Sequence, residues 1–281
     1  MKPSILVVDD DPVMGTLIKE TLKDYTVTTR ATGEEGVEAF RSDHYDLLIC
    51  DLILPGIGGL DVIRLARAHN PQARVIVISA MGSAEHLLAT LRESVVDFLV
   101  KPFSIDELRG SVANLLSIEQ AIEVVSATPK WVELKVPASF QIAASLEGFF
   151  NNLETGMDET TRRSVIIAFR ELLNNAIEHG AKANPRRIIG VSYIRLQRAV
   201  IYRIQDPGSG FDPEAIPHAA VSYPDDPMKH LEVRQEKGMR AGGYGLLWTQ
   251  NLVDEVVFNQ KRNKVIFIKY LDSQDKPPAG E

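Results

Sequence analysis

The chain has 281 residues, enough for two domains of ordinary size, and its 44% hydrophobic and 25% charged content is that of a folded globular protein. A formal net charge of −7 with no basic recognition helix argues against direct nucleic-acid binding, and no apolar run is long enough to span a membrane. The opening MKPSILVVDDD reaches three carboxylates after a short apolar run, unlike a signal peptide, and the single cysteine, Cys50, can close no internal disulfide, so a cytoplasmic location is expected.

Residues 1 to 103 alternate β-branched runs (ILVV, VTT, DLLIC, RVIVIS, DFLV) with stretches whose apolar residues recur three and four apart. This predicts five strands and five helices in a doubly wound parallel sheet, a flavodoxin-like α/β domain over 1–120. From Ser104 to about Ser126, Ile105, Leu108, Val112, Leu115, Ile118, Ile122 and Val125 keep helical spacing. A long helix is therefore expected as a linker over 104–129, ended by Thr128-Pro129 and offering one seam for a homodimer.

Beyond it the order changes to a strand (WVELKV), two helices (Ser139 to Leu153 and Asp158 to Glu178), two strands (IIGVSYIRL and AVIYRIQD), a loop-rich stretch, a helix (Tyr244 to Leu252) and two final strands. An α+β domain over 130–272, with an antiparallel or mixed sheet backed by helices, is expected, followed by a disordered tail, 273–281.

Asp9 and Asp10 end the first predicted strand and Asp51 ends the third; the carboxyl ends of such strands line one crevice. Three carboxylates at one mouth repel unless a cation joins them, and all-oxygen ligation suits Mg²⁺. Ser79 and Lys101, from two further strand ends, offer a hydroxyl and an ammonium to phosphoryl oxygens. Taken singly, each acidic residue could be a helix cap or a solvated turn. Together, VVDDD, ICDLILPGIGG, the Ser79-Ala80 pair and the Lys101-Pro102 pair resemble the response-regulator receiver family over about residues 3 to 120. That resemblance implies that Asp51 accepts a phosphoryl group from an upstream sensor histidine kinase. It also implies that Asp9, Asp10 and Asp51 hold Mg²⁺, that Ser79 and Lys101 contact the phosphate, that Phe98 is the aromatic switch, that Lys101-Pro102 is cis, and that the receiver can dimerise.

In the second half, Glu171, Asn174, Asn175, Glu178 and His179 fall in one arc at 100° per residue, where an otherwise apolar helix ends. By itself this could be a helix emerging into solvent and stopped by Gly180. Two glycine motifs follow: Asp206-Pro-Gly208-Ser-Gly210 after a strand, and Gly242-Gly243-Tyr-Gly245 leading into a helix, where free amides favour phosphate. In this order the motifs resemble the GHKL ATPase superfamily, and the ending GGYGLLWTQNLVDEVVFNQKRNKVIFIKYL resembles the anti-sigma-factor serine kinases. The resemblance implies ATP bound with its own Mg²⁺, Asn175 on that metal, Asp206 on adenine, and Glu171 as the base. His179, Gly208, Gly210, Gly242, Gly243 and Gly245 line the pocket, and Phe211 to Ala241 form a lid whose length leaves the roles of His218, His230, Arg234 and Arg240 open.

No histidine lies between Ser104 and Lys130, where a sensor histidine kinase would carry its phosphoacceptor. The expectation is a serine/threonine kinase under receiver control, acting on a STAS-type anti-anti-sigma protein in a partner-switching pathway, with a sigma factor as a further partner. The alternative is a module that binds ATP and its partner, or sequesters a sigma factor, without catalysis.

Overall fold

The computed structural model describes residues 2–80, 84–95, 97–117, 122–154, 156–210 and 245–272, with only the backbone of 245–248. The chain divides into two compact units, Met1–Ala121 with Gly148–Leu153, and Ile122–Glu147 with Glu154–Glu281.

In the first unit β1 (Ser4–Val8), α1 (Pro12–Thr21), β2 (Thr26–Arg30), α2 (Gly33–Ser42), β3 (Leu47–Asp51), α3 (Gly59–His69), β4 (Arg74–Ser79), α4 (Ala84–Arg92), β5 (Asp97–Val100) and α5 (Ile105–Ser117) follow in order. All strand pairs are parallel, in the order β2-β1-β3-β4-β5. All five positions of β3, LLICD, are buried, as a strand covered on both faces requires. Ile5, Val7, Ile18, Leu22, Leu47, Ile49, Ile76, Ile78, Leu108 and Val112 form one core cluster, in which each buried aliphatic side chain contributes about 1.5–3 kcal/mol relative to exposure. Helix starts follow local chemistry. Asp11 accepts from the Val13 amide at 2.8 Å ahead of Pro12, and Ser104 and Glu107 cap α5 reciprocally, at 3.1 Å and 2.7 Å. The strand order reverses between β1 and β3, so the carboxyl ends of these two strands open one crevice.

The chain beyond residue 121 contains β6 (Glu123–Thr128), β7 (Trp131–Pro137), α6 (Phe140–Leu153), α7 (Glu159–Asn175), a π-helical turn (Ala176–Gly180), β8 (Ile188–Arg195), β9 (Ala199–Gln205), α8 (Gly245–Leu252), β10 (Glu255–Phe258) and β11 (Lys264–Tyr270). Its sheet is antiparallel throughout, ordered β10-β11-β9-β8-β7-β6. Alternation sets its faces: Val132, Leu134 and Val136 are buried, whereas Trp131 on the other side of β7 is 45% exposed. Along α7 the buried residues Val165, Ala168, Phe169, Leu172 and Leu173 form one stripe. Phe169 meets Tyr202 of β9 at 5.4 Å between centroids, and Tyr202 stacks on Phe267 of β11 at 4.9 Å.

The long linker helix expected over 104–129 does not form. Helix α5 is described over Ile105–Ser117, and Glu123–Thr128 is a strand paired antiparallel with β7. Ile122 and Val125 keep helical spacing, but Val125 is exposed at a bulge in β6, and three local features favour the strand. Val124 and Val125 are β-branched, Pro129-Lys130 makes a two-residue loop, and Thr128 Oγ1 accepts from the Trp131 amide at 3.1 Å. The second unit accordingly begins before residue 130, and the dimer seam assigned to a continuous linker helix is lost.

Candidate functional site

At the crevice of the first unit, β1 delivers Asp9 and Asp10 and β3 delivers Asp51. Asp9 and Asp51 are buried, Asp10 is exposed, and one carboxylate oxygen from each lies within 4.8 Å of the others. Lys101, just after β5, donates from Nζ to Asp9 Oδ2 at 2.8 Å and to Asp51 Oδ2 at 2.6 Å. The remaining oxygens are oriented by backbone: Asp9 Oδ1 accepts from the Asp11 amide and Asp51 Oδ1 from the Ile53 amide, both at 2.9 Å. The Lys101 amide donates to the Ser79 carbonyl at 2.8 Å, which ties the ends of β4 and β5 together, and Lys101-Pro102 is cis. Ser79 is fully buried, and Phe98, 8% exposed, pairs with Val77 in the sheet.

Burial raises the Asp9 carboxyl above its usual range despite the hydrogen bonds from Lys101 and Asp11. Burial also opposes the charge on Lys101, but its hydrogen bonds to Asp51 and Asp9 outweigh it and raise the ammonium's pKa. Three carboxylates face one ammonium, so two negative charges stay uncompensated. A hard divalent cation with oxygen ligands fits that donor set.

In the second unit the nucleotide-type residues gather where α7 ends. Glu171 and Asn175, four residues apart on one helix face, are both half-buried. The helix then widens: the Ala181 amide donates to the Ala176 carbonyl at 2.8 Å, an i to i+5 bond, and Glu178 and His179 lie in this turn. The arc of five polar residues read for a regular α-helix is thus interrupted after Asn175. The π turn sets Gly180 against Asp206, and a Cβ on Gly180 would stand 2.2 Å from Asp206 Cγ. Asp206 Oδ1 accepts from the Gly208 amide at 2.7 Å. Burial nevertheless raises the Asp206 carboxyl pKa, leaving a partly dehydrated acceptor suited to a donor on a ligand. Gly210 has φ +85° and runs so close to the β10–β11 turn that a side chain is excluded. Gly245 starts α8; Gly242, Gly243 and the lid with His218, His230, Arg234 and Arg240 lie outside the described residues.

Several neighbours of this site carried no motif. Arg170 Nε lies 3.6 Å from Glu171 Oε1 while its Nη1 reaches Glu147 Oε1 at 3.4 Å, and Arg187 Nη1 donates to the Gly180 carbonyl at 3.3 Å. Asn259 and Asn263 bracket the β10–β11 turn; the only sequence signal for them is two asparagines enclosing Gln-Lys-Arg between apolar strands. Among the described residues no helix is long and apolar enough to cross a membrane.

Comparison with known proteins agrees with both geometries. Residues 5–113 match the response regulator receiver domain and residues 138–269 the histidine kinase-like ATPase domain. The probable transcriptional regulatory protein TcrX of Mycobacterium tuberculosis is 34% identical over 107 residues, 37% of this chain and 46% of that protein. The sensor histidine kinase TmoS of Ectopseudomonas mendocina is 37% identical over 123 residues, 43% of this chain and 13% of that protein. The chain therefore spans less than half the length of these two relatives. A solved structure, the non-phosphorylated HemR receiver domain from Leptospira biflexa, is 27% identical with a TM-score of 0.41, covering 42% of this chain and 98% of that one. This polypeptide joins a response regulator receiver domain, residues 5–113, to a histidine kinase-like ATPase domain, residues 138–269.

Proposed function

We propose that phosphorylation of Asp51 controls an ATP-dependent protein serine/threonine kinase of the anti-sigma-factor type housed in the second unit. Its substrate is a STAS-type anti-anti-sigma protein, its phosphodonor an upstream sensor histidine kinase, and a sigma factor is a second partner; such a pathway runs in the cytoplasm. The observation that carries the reading is the pairing of Glu171 with Asn175 on one face of α7, at the helix end that abuts the Asp206 loop.

In the receiver, Asp51 attacks the donor phosphohistidine: the phosphorus–nitrogen bond breaks, a bond to an Asp51 carboxylate oxygen forms, and Lys101 and Ser79 contact the phosphoryl oxygens. Mg²⁺ held by Asp9, Asp10 and Asp51 supplies charge neutralisation when bound. Phe98 couples the phosphorylated pocket to the surface of β5. In the second unit Asp206 accepts from the adenine amino group, and His179, Gly208, Gly210, Gly242, Gly243 and Gly245 shape the pocket. Asn175 offers its side-chain oxygen to the Mg²⁺ that accompanies ATP, and Glu171 takes the proton of the incoming serine hydroxyl as its oxygen attacks the γ-phosphorus and ADP leaves.

The test is transfer of labelled γ-phosphate to candidate STAS proteins. Hydroxylamine-resistant label is expected, lost in Asn175→Ala and lowered about 10²- to 10⁴-fold in Glu171→Gln with ATP still bound. Transfer unchanged in Glu171→Gln removes the base. A second reading, an ATP-binding module without catalysis, is favoured by the Arg170 ion pair that occupies Glu171; ATP binding without transfer to a STAS protein that the chain binds would establish it.

A further inference from the structure

The Asp206–Gly210 loop is held by the turn between β10 and β11, where Asn263 bonds to the loop and Asn259 bonds to Asn263. The Asn263 carbonyl accepts from the Asp206 amide at 2.9 Å. Asn263 Nδ2 donates to the carbonyls of Gly208 at 3.1 Å and Asp206 at 3.4 Å, so one residue grips both ends of the Asp206-Pro-Gly208 segment. Nδ2 faces the loop because Oδ1 is already engaged: it accepts from Asn259 Nδ2 at 2.9 Å. Asn259 is fixed in turn, since its Oδ1 accepts from the amides of Asn263 at 3.1 Å and Lys264 at 3.0 Å. At the far end of the loop, Gly210 packs on the Lys261 carbonyl of the same turn.

We propose that Asn259 and Asn263 are positioning residues for nucleotide-base recognition: Asn259 sets the amide orientation of Asn263, and Asn263 sets the backbone that aims the Asp206 carboxylate. Neither touches the base. The inference rests on the nucleotide-site reading of the second unit and adds to it a selectivity device outside the sequence motifs. Reversing the Asn263 amide would bring its oxygen against two carbonyls and detach the segment on which Asp206 stands. Asn259→Asp forces that reversal from a distance, because the new carboxylate can no longer donate to Asn263 Oδ1 and instead attracts Nδ2.

The experiment measures binding of ATP and of ITP, whose base carries an oxygen in place of the adenine amino group, to the full chain and to Asn263→Asp, Asn259→Asp and Asn263→Ser. The wild-type chain is expected to prefer ATP. Both aspartate variants should weaken ATP about tenfold or more, with the ATP-to-ITP ratio falling toward one. Asn263→Ser, which keeps a donor, should recover part of that ratio. A general loosening of the fold would weaken both nucleotides alike, so variants whose ratio stays at the wild-type value, Asn263→Ser included if the aspartate variants fail to fold, overturn the clamp. A wild-type chain that binds ATP and ITP equally overturns the adenine role of Asp206 instead, and one that binds neither overturns the nucleotide site itself.

Discussion

Glu154 is a buried charge of the second unit: it is 2% exposed, its Oε2 accepts from Arg195 Nη1 at 2.9 Å, and its Oε1 has no hydrogen-bond partner. Burial raises its carboxyl pKa above the usual 4.5, and hydrogen bonding to Tyr193 and the charge of Arg195 only partly offset this. Because the folded state holds the proton more tightly than the unfolded chain, the contribution of this group to stability is fully present below pH 4.5 and is lost as pH rises through the folded value. Glu154→Gln should therefore flatten the decline of the second unit's stability between pH 4.5 and neutrality. Both tryptophans, Trp131 and Trp248, belong to the second unit, so urea midpoints followed by their fluorescence at several pH values report on it. Equal slopes for the two proteins would show that Arg195 already balances the buried charge.

Among the elements, α7 links fold to site. Its apolar stripe on Tyr202 and the Asp158 cap, which accepts from the Thr161 amide at 2.9 Å, fix the helix. The π turn then sets where its last residues fall. Gly180→Ala places a methyl group 2.2 Å from Asp206 Cγ, so Asp206 must swing away; overpacking of this kind costs about 1–3 kcal/mol. ATP affinity is expected to drop by about tenfold or more, while far-UV circular dichroism stays unchanged. Calorimetric titration showing wild-type affinity would mean that Asp206 does not meet the base. For β6, Thr128→Ala removes the acceptor of the Trp131 amide at the hairpin and should cost about 1 kcal/mol, read as a lower unfolding midpoint of the second unit.

At the scale of the whole molecule, the proposed control requires the state of Asp51 to change what the second unit does. Loading the wild-type chain with beryllofluoride, an acyl-phosphate mimic, is expected to change the rate of transfer from ATP, and Asp51→Asn should abolish the response while leaving the unloaded rate in place. If the loaded and unloaded wild-type chains show the same rate, ATP affinity and oligomeric state, the two modules share a polypeptide without thermodynamic coupling.

Strand period and local chemistry made the first unit legible without coordinates. Runs such as LLICD can be buried only in a sheet covered on both faces, and Asp9, Asp10, Asp51 and Lys101 stand at or just after strand ends, so their convergence is a consequence of topology. The polar end of α7 and the glycines after β9 were legible for the same reason, as side chains and backbone tied to one element. The strand Glu123–Thr128 was not, because Ile122 and Val125 continue the helical spacing of the residues before them and only pairing with β7 overrides it. Nor was the Asn259–Asn263 clamp, whose partners Asp206 and Gly208 lie more than fifty residues away in the chain. A sequence determines periodicity and the chemistry of each segment, whereas a hydrogen bond between distant segments exists only once the sheet has set its register, and that register decided where the Asp206–Gly210 loop is held.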